Sequence, residues 1–256
     1  MKWILIFSLI VSCNALKTLT DGETKVPIDF SEGICNYCGN NQSTLYNNLI
    51  AYYNFDGGSL GDDKTGQNNL TVTGSPGTTT GKNGLALTCN TTSAGDFLAI
   101  PTLGSQFSFG ANQNFSISFW LKTTGLTAGK VIYLTTAVPN TIDFQVSATA
   151  TNFNASQAAI INLNAGTSVV NNVWELWTLV VTRSSKIEIY RNGVLDATSN
   201  TVNTDKDFNF SKLALCGDEG GATGGAIIDL DSVGVWGRDL SPQEIMELYS
   251  GNSGLD

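Results

Sequence analysis

The chain has 256 residues, 41% of them hydrophobic, with 13 basic against 22 acidic side chains, a net charge of −9 at pH 7 and no histidine. Such a surface repels phosphate backbones, and with no basic cluster to offset it nucleic acid is not the expected partner. The missing histidine removes Ser-His-Asp and Cys-His catalysis and every imidazole-bound zinc or iron. Any metal must then be hard and oxygen-bound, and acid–base chemistry falls to Asp, Glu, Lys or Tyr.

The chain opens with "MKWILIFSLIVSCNA": Lys2, an apolar run from Trp3 to Val11, and Ala15 at a small-residue cleavage position. This pattern reads as a secretory signal peptide over residues 1–15. Its run is too short to cross a bilayer, and no other stretch reaches the ~20 apolar residues a spanning helix needs. The expected mature protein is exported, and removal of Lys2 leaves 12 basic against 22 acidic side chains.

Residues 16–47 read as a polar, irregular extension around "GICNYCGNNQS". Cys13 leaves with the signal peptide, so Cys35, Cys38, Cys89 and Cys216 remain, and an even number in an exported chain points to disulfides. Three pairings are possible. The favoured one joins Cys89 to Cys216, because each ends a short strand-like run ("LALTC", "LALC"), and Cys35 to Cys38, which share a loop. A four-thiolate zinc site and a redox CxxC are the competing readings. Six N-x-S/T sequons, at Asn41, Asn69, Asn90, Asn114, Asn154 and Asn209, are candidate glycosylation sites, which would place them on the surface.

From Leu49 onward apolar runs alternate with Gly, Asn and Thr turns at sandwich spacing. About a dozen strands are expected, from "LIAYYNF" through "FSISFWLKT", "LWTLVVTRS" and "KIEIYRNGVLDAT" to "AIIDLDSVGVW". Asn192-Gly193 lies between two β runs and predicts a type I′ hairpin, since both positions tolerate positive φ. "SPQEIMELYSG" predicts one short helix, with Ser241 as N-cap, Pro242 at the first position, Glu244 closing a capping box and Gly251 as terminator. No internal repeat is visible. The expectation is an all-β, two-sheet antiparallel jelly-roll sandwich with one short C-terminal helix, a single domain over residues 48–256.

In order, "LIAYYNFDGGSLGDDKTGQNNLTVTG", "GKNGLALTC", "FSISFWLKT", "WELWTLVVTRSSKIEIYRNGVLDAT" and "GAIIDLDSVGVWGRDLSPQEIMELY" resemble the laminin-G-like jelly-roll domains of the concanavalin A-like lectin and glucanase superfamily, in the branch that also resembles pentraxins. One departure is Glu175-Leu176, where that family usually carries a His pair. The site is read as tolerant of change, with nothing catalytic inferred from it.

The resemblance implies three kinds of site. A retaining glycosidase would need two carboxylates about 5–5.5 Å apart, taken in that superfamily from an E-x-D-x-E or E-x-D-x-x-E strand. Asp229 and Asp231 fill two slots, but the third falls on Val233 or Gly234, so no catalytic residue is assigned. Calcium, which takes oxygen ligands, suits Asp56 and Asp231 on neighbouring strands near the two ends of the chain, with Asp62 and Asp63 beside them. A second, weaker acidic loop holds Asp218 and Glu219. Asp229 receives no partner. For ligand binding by aromatics, Trp120, Trp174, Trp177 and Trp236 sit in strand-like runs where a core role is the plain expectation, and Tyr52, Tyr53 and Tyr190 are alternatives.

The expected role is a secreted, non-catalytic module binding extracellular carbohydrate or glycoprotein with calcium. A structural or adhesive component of a matrix or coat, assembling with copies of itself, is the second reading, and a glycosidase the third.

Overall fold

The computed structural model describes residues 43–90, 95–100, 102–110, 112–125, 129–135, 141–146, 152–157, 161–200, 207–217, 227–251 and 255. The chain divides into two units, Met1–Thr44 and Leu45–Asp256. The expected signal peptide, Cys35, Cys38 and Asn41 lie outside the described residues, as do Asp218 and Glu219.

The second unit is built from strands. The first are β1 (Leu49–Tyr53), β2 (Thr71–Thr73), β3 (Gly77–Thr80), β4 (Leu85–Asn90), β5 (Phe97–Ile100) and β6 (Ser108–Phe109). Then come β7 (Phe115–Gly125), β8 (Gly129–Thr135), β9 (Thr141–Val146), β10 (Asn152–Gln157), β11 (Ile161–Ser168) and β12 (Glu175–Thr182). The last are β13 (Lys186–Arg191), β14 (Val194–Ser199), β15 (Phe208–Asn209), β16 (Lys212–Leu215) and β17 (Ile227–Trp236), followed by α1 (Pro242–Ser250).

They form one sheet in the order β14-β13-β12-β7-β17-β4-β3, with β1 also on β17, and a second in the order β11-β10-β9-β8-β16-β5-β2. The pairings between these strands are antiparallel. This is the expected concanavalin A-like jelly-roll sandwich with one short helix.

Alternation decides which side chains meet between the sheets. On β7, Phe115, Ile117, Phe119 and Leu121 enter the main core with Trp177, Leu179 and Val181 of β12 and Ile228, Leu230, Val233 and Val235 of β17. Their neighbours Ser116, Ser118 and Trp120 face outward, yet are buried too. A second apolar cluster, with Val180, Tyr190, Trp236, Leu240 and Ile245, covers that outer face beneath α1. Ser116 serves as a tie there: its hydroxyl donates to the Arg238 carbonyl at 2.9 Å and accepts from the Leu240 N–H at 3.0 Å. A disulfide between Cys89 and Cys216 links β4 to the end of β16, joining the two sheets through the core, with Cα atoms 5.7 Å apart.

Local signals of the sequence set the two sharpest features. Asn192 and Gly193 have φ of 52° and 81°, the two positive values that a type I′ hairpin requires. The Asn192 side chain also accepts from the Leu176 N–H at 2.9 Å, fixing the turn to the neighbouring strand. In α1 the Ser241 cap, the Glu244 capping box and Pro242 are all present, and Gly251 ends the helix at φ 73°. Four strands exceed the expected set. β3 ("GTTT") lies at the sheet edge with an almost wholly exposed pattern, β10 ("NFNASQ") is polar, and β6 and β15 have two residues each. β3, β6 and β15 offer no apolar alternation, and β10 offers only Phe153 and Ala155 between polar residues.

Candidate functional site

Strand β17 pairs along one edge with β7 and along the other with two partners in succession. Residues Ile227–Leu230 face β4, whereas Val233–Trp236 face β1. The two ends of the domain thus meet on one strand, and the junction falls at Asp231 and Ser232. There the register shifts and Ser232 takes φ 49°. The side chain of Asp231 is fully buried at this gap.

The turn between β3 and β4 closes over it. One oxygen of Asp231, Oδ2, accepts the consecutive backbone N–H groups of Lys82 at 2.8 Å and Asn83 at 3.0 Å. Asp56, just past the end of β1, accepts the Leu85 N–H at 2.6 Å. The two carboxylates therefore hold the same turn from its two sides. Glycines make room for them: a Cβ at Gly81 would lie 2.5 Å from Asp231 Oδ2, and one at Gly84, where φ is 55°, would lie 1.9 Å from Asp56 Oδ1. Successive N–H groups converging on one oxygen form an anion-binding concavity, here filled by the protein's own carboxylate.

Asp63 is a second internal anchor. It is buried and accepts from the Tyr52 N–H at 2.8 Å, the Thr65 N–H at 3.0 Å, the Thr65 hydroxyl at 2.5 Å and the Asn68 N–H at 2.9 Å. Its loop is thereby fastened to β1, where the Tyr53 hydroxyl donates to the Asn68 carbonyl at 2.7 Å. Burial, and then the negative charge of Asp63, push the Tyr53 phenol far above its ordinary value. Asp62 accepts the Ser59 N–H at 2.9 Å within its own loop. All four carboxylates expected around calcium thus receive backbone N–H groups. Among the described residues no three acidic side chains converge as a metal cluster.

Asp229, which had no expected partner, has two. Lys122 reaches it at 2.6 Å and the Thr88 hydroxyl donates to it at 2.7 Å. It faces outward like Asp231, but each carboxylate is engaged with its own partners. Lys122 also lies 5.0 Å over the ring of Trp174, the half-buried tryptophan among the four, whereas Trp120, Trp177 and Trp236 are buried. Trp236 donates its indole N–H to the Leu45 carbonyl at 2.7 Å, and Trp120 stacks on Tyr249 with centroids 5.8 Å apart.

Glu175, read from sequence as a tolerant position, is buried and ion-paired. Arg191 holds Glu175 Oε1 through Nε at 3.0 Å and through Nη2, and the Val170 N–H donates to Oε2 at 3.1 Å. This pair closes one end of the sandwich. Alternation carries the missed signal: Glu175 is in phase with Trp177 and Leu179, and Arg191 with Ile187 and Ile189, so both point inward. Of the sequons, Asn69 and Asn209 are exposed, while Asn114 is half-buried and its side chain accepts the Arg183 N–H at 2.9 Å. Asn90 and Asn154 lie in β4 and β10.

The profile of the Laminin_G_3 family, of the concanavalin A-like lectin/glucanases superfamily, matches residues 92–246. The chain belongs to this family. No curated protein sequence matches it. Among solved structures, the domain is similar to domain 4 of AbnA, a GH43 extracellular arabinanase from Geobacillus stearothermophilus, in complex with arabinotriose. That likeness has 20% identity and a TM-score of 0.63, covering 78% of this chain and 98% of that one. It is also similar to the binding domain of botulinum neurotoxin serotype G, at 17% identity and TM-score 0.63, covering 80% of this chain and 51% of that one. The binding domain of Paraclostridial Mosquitocidal Protein 1 is similar at 16% identity and TM-score 0.64, covering 80% and 52%. The laminin-G-like domain spans about half the length of these two toxin domains.

Proposed function

We propose that this laminin-G-like domain is an exported, non-catalytic module that binds extracellular carbohydrate or glycoprotein. The carrying observation is the likeness to domain 4 of AbnA, of which 98% is covered and which is in complex with arabinotriose. A non-catalytic role is supported by the engagement of the two strand carboxylates, Asp229 with Lys122 and Thr88, Asp231 with the β3–β4 turn. Calcium is proposed as a ligand-bridging ion. Both N–H donors of the turn sit on Asp231 Oδ2, so a shared ion with Asp56 would be held through Oδ1, which accepts the Ser232 hydroxyl at 3.2 Å. The test is a glycan array that includes arabino-oligosaccharides, run with calcium and with EDTA. Saturable binding supports the reading, and loss of binding in EDTA supports the bridging ion.

A specific observation favours self-assembly as the second reading. The tip of the β13–β14 hairpin abuts α1 at Gly193, where a Cβ would lie 2.9 Å from Met246, and the apolar side chains there are exposed: Val194 by 63%, Leu195 by 46%, Met246 by 40% and Tyr249 by 39%. A protein that binds no glycan and elutes as an oligomer from a sizing column would favour this role.

A further inference from the structure

On the outer face of the larger sheet, beside the start of α1, lies a groove of about 520 Å³. That volume falls within the roughly 300–1,000 Å³ of small-molecule sites. Its apolar part is supplied by Val180, Leu240 and Pro242. One wall carries Glu188, held by the Lys186 ammonium at 2.7 Å, and the other carries Glu244, held by Arg238 through two nitrogens at 2.9 and 2.6 Å.

Both carboxylates are about 7% exposed. Buried ion pairs are weak evidence for stability, because desolvation offsets most of their attraction. The Arg238–Glu244 pair has a structural task, since Glu244 also completes the helix cap. Lys186 and Glu188 complete no cap, and their pair is open to solvent on the Lys186 side. They sit two residues apart on β13, facing the groove, with Tyr190 next in phase and hydrogen-bonded to Glu188.

We infer that this groove is a subsite for a neutral saccharide, with Glu188 and Lys186 as its polar contacts. A sugar ring has hydroxyls that both donate and accept and a face of C–H groups. A carboxylate can take the donors, an ammonium and the Thr182 hydroxyl can serve the acceptors, and the apolar floor can take the C–H face. The groove's charges, Lys186 and Arg238 against Glu188, Asp239 and Glu244, sum to negative, as does the chain's −9, so an anionic glycan is disfavoured. This inference rests on the saccharide-binding reading and gives it an address.

The test compares wild type, Glu188→Gln and Lys186→Ala on one array of neutral, sialylated and sulfated glycans, followed by titration calorimetry on the strongest hit and a thermal melt of each protein. Glu188→Gln keeps the shape of the side chain, and Lys186, with 42% of its side chain exposed, can be shortened without opening the core. The expected result is a loss of affinity of about tenfold or more for a neutral glycan in both variants, each still giving a cooperative melt; Lys186→Ala, which leaves the buried Glu188 without its ammonium, should melt below Glu188→Gln. Variants that bind the same glycan as tightly as wild type would overturn the subsite while leaving the broader reading intact. Binding confined to sialylated or sulfated glycans would also overturn it. No glycan binding by wild type would sink both.

Discussion

Removing the carboxylate of Asp231 tests how the two ends of the domain are joined. In Asp231→Ala the N–H groups of Lys82 and Asn83 lose their shared acceptor. A hydrogen bond to a charged group contributes about 1.5–3 kcal/mol. Lys82 is exposed and Asn83 half-buried, so water recovers part of the loss, and the expected cost is about 3 kcal/mol. For a domain of this size that lowers the melting temperature by roughly 6–12 °C. Asp231→Asn keeps an oxygen in place for the same two donors and should cost about 1 kcal/mol. Thermal melts of the three proteins, each with calcium and with EDTA, provide the assay. The hydrogen-bonded clasp predicts a graded series, Ala well below Asn, with no shift of wild type in EDTA. If Asn were as damaging as Ala, and if EDTA lowered the wild type to the level of both variants, a cation at Asp231 would be the partner and the clasp would be refuted.

Gly84→Ala should destabilise by about 2 kcal/mol or more, because its φ of 55° strains an L-residue and its Cβ would overlap the Asp56 carboxylate; a denaturant melt reads this, and a neutral result would deny Asp56 its role. Opening the Cys89–Cys216 disulfide, which spans 127 residues, should cost about 5 kcal/mol by loop-closure entropy, checked by denaturant midpoints of the oxidised protein and the double Cys→Ala variant. Tyr53 has a phenol pKa raised in the folded state, so its contribution is full below the unfolded value near 10 and declines as pH rises above it. Stability measured from pH 8 to 11.5 should fall at the alkaline end, and in Tyr53→Phe that fall should be shallower from a lower starting point.

Features encoded within a few consecutive residues were legible. The cap, proline and terminal glycine of "SPQEIMELYSG" and the Asn192-Gly193 turn specify their own backbone, and both form as read. What holds Asp56 and Asp231 was not visible, since their partners are backbone N–H groups around one turn that no side-chain pattern announces. Asp63 escaped for the same reason. Asp229 and Lys122 needed the β7–β17 register, which the sequence does not state, while Glu175 and Arg191 could have been found by carrying the inward phase to both strand ends. The groove beside α1 depends on how the loop from Arg238 to Ser241 crosses the sheet, a tertiary fact with no local signature.

Binding of a neutral saccharide by this laminin-G-like domain is tested most directly by calorimetric titration of the folded domain with the leading neutral hit of a glycan array, in calcium buffer. Saturable binding that weakens in Glu188→Gln is the predicted result. Absence of binding to every glycan on the array, from a protein whose melt shows it folded, would contradict it.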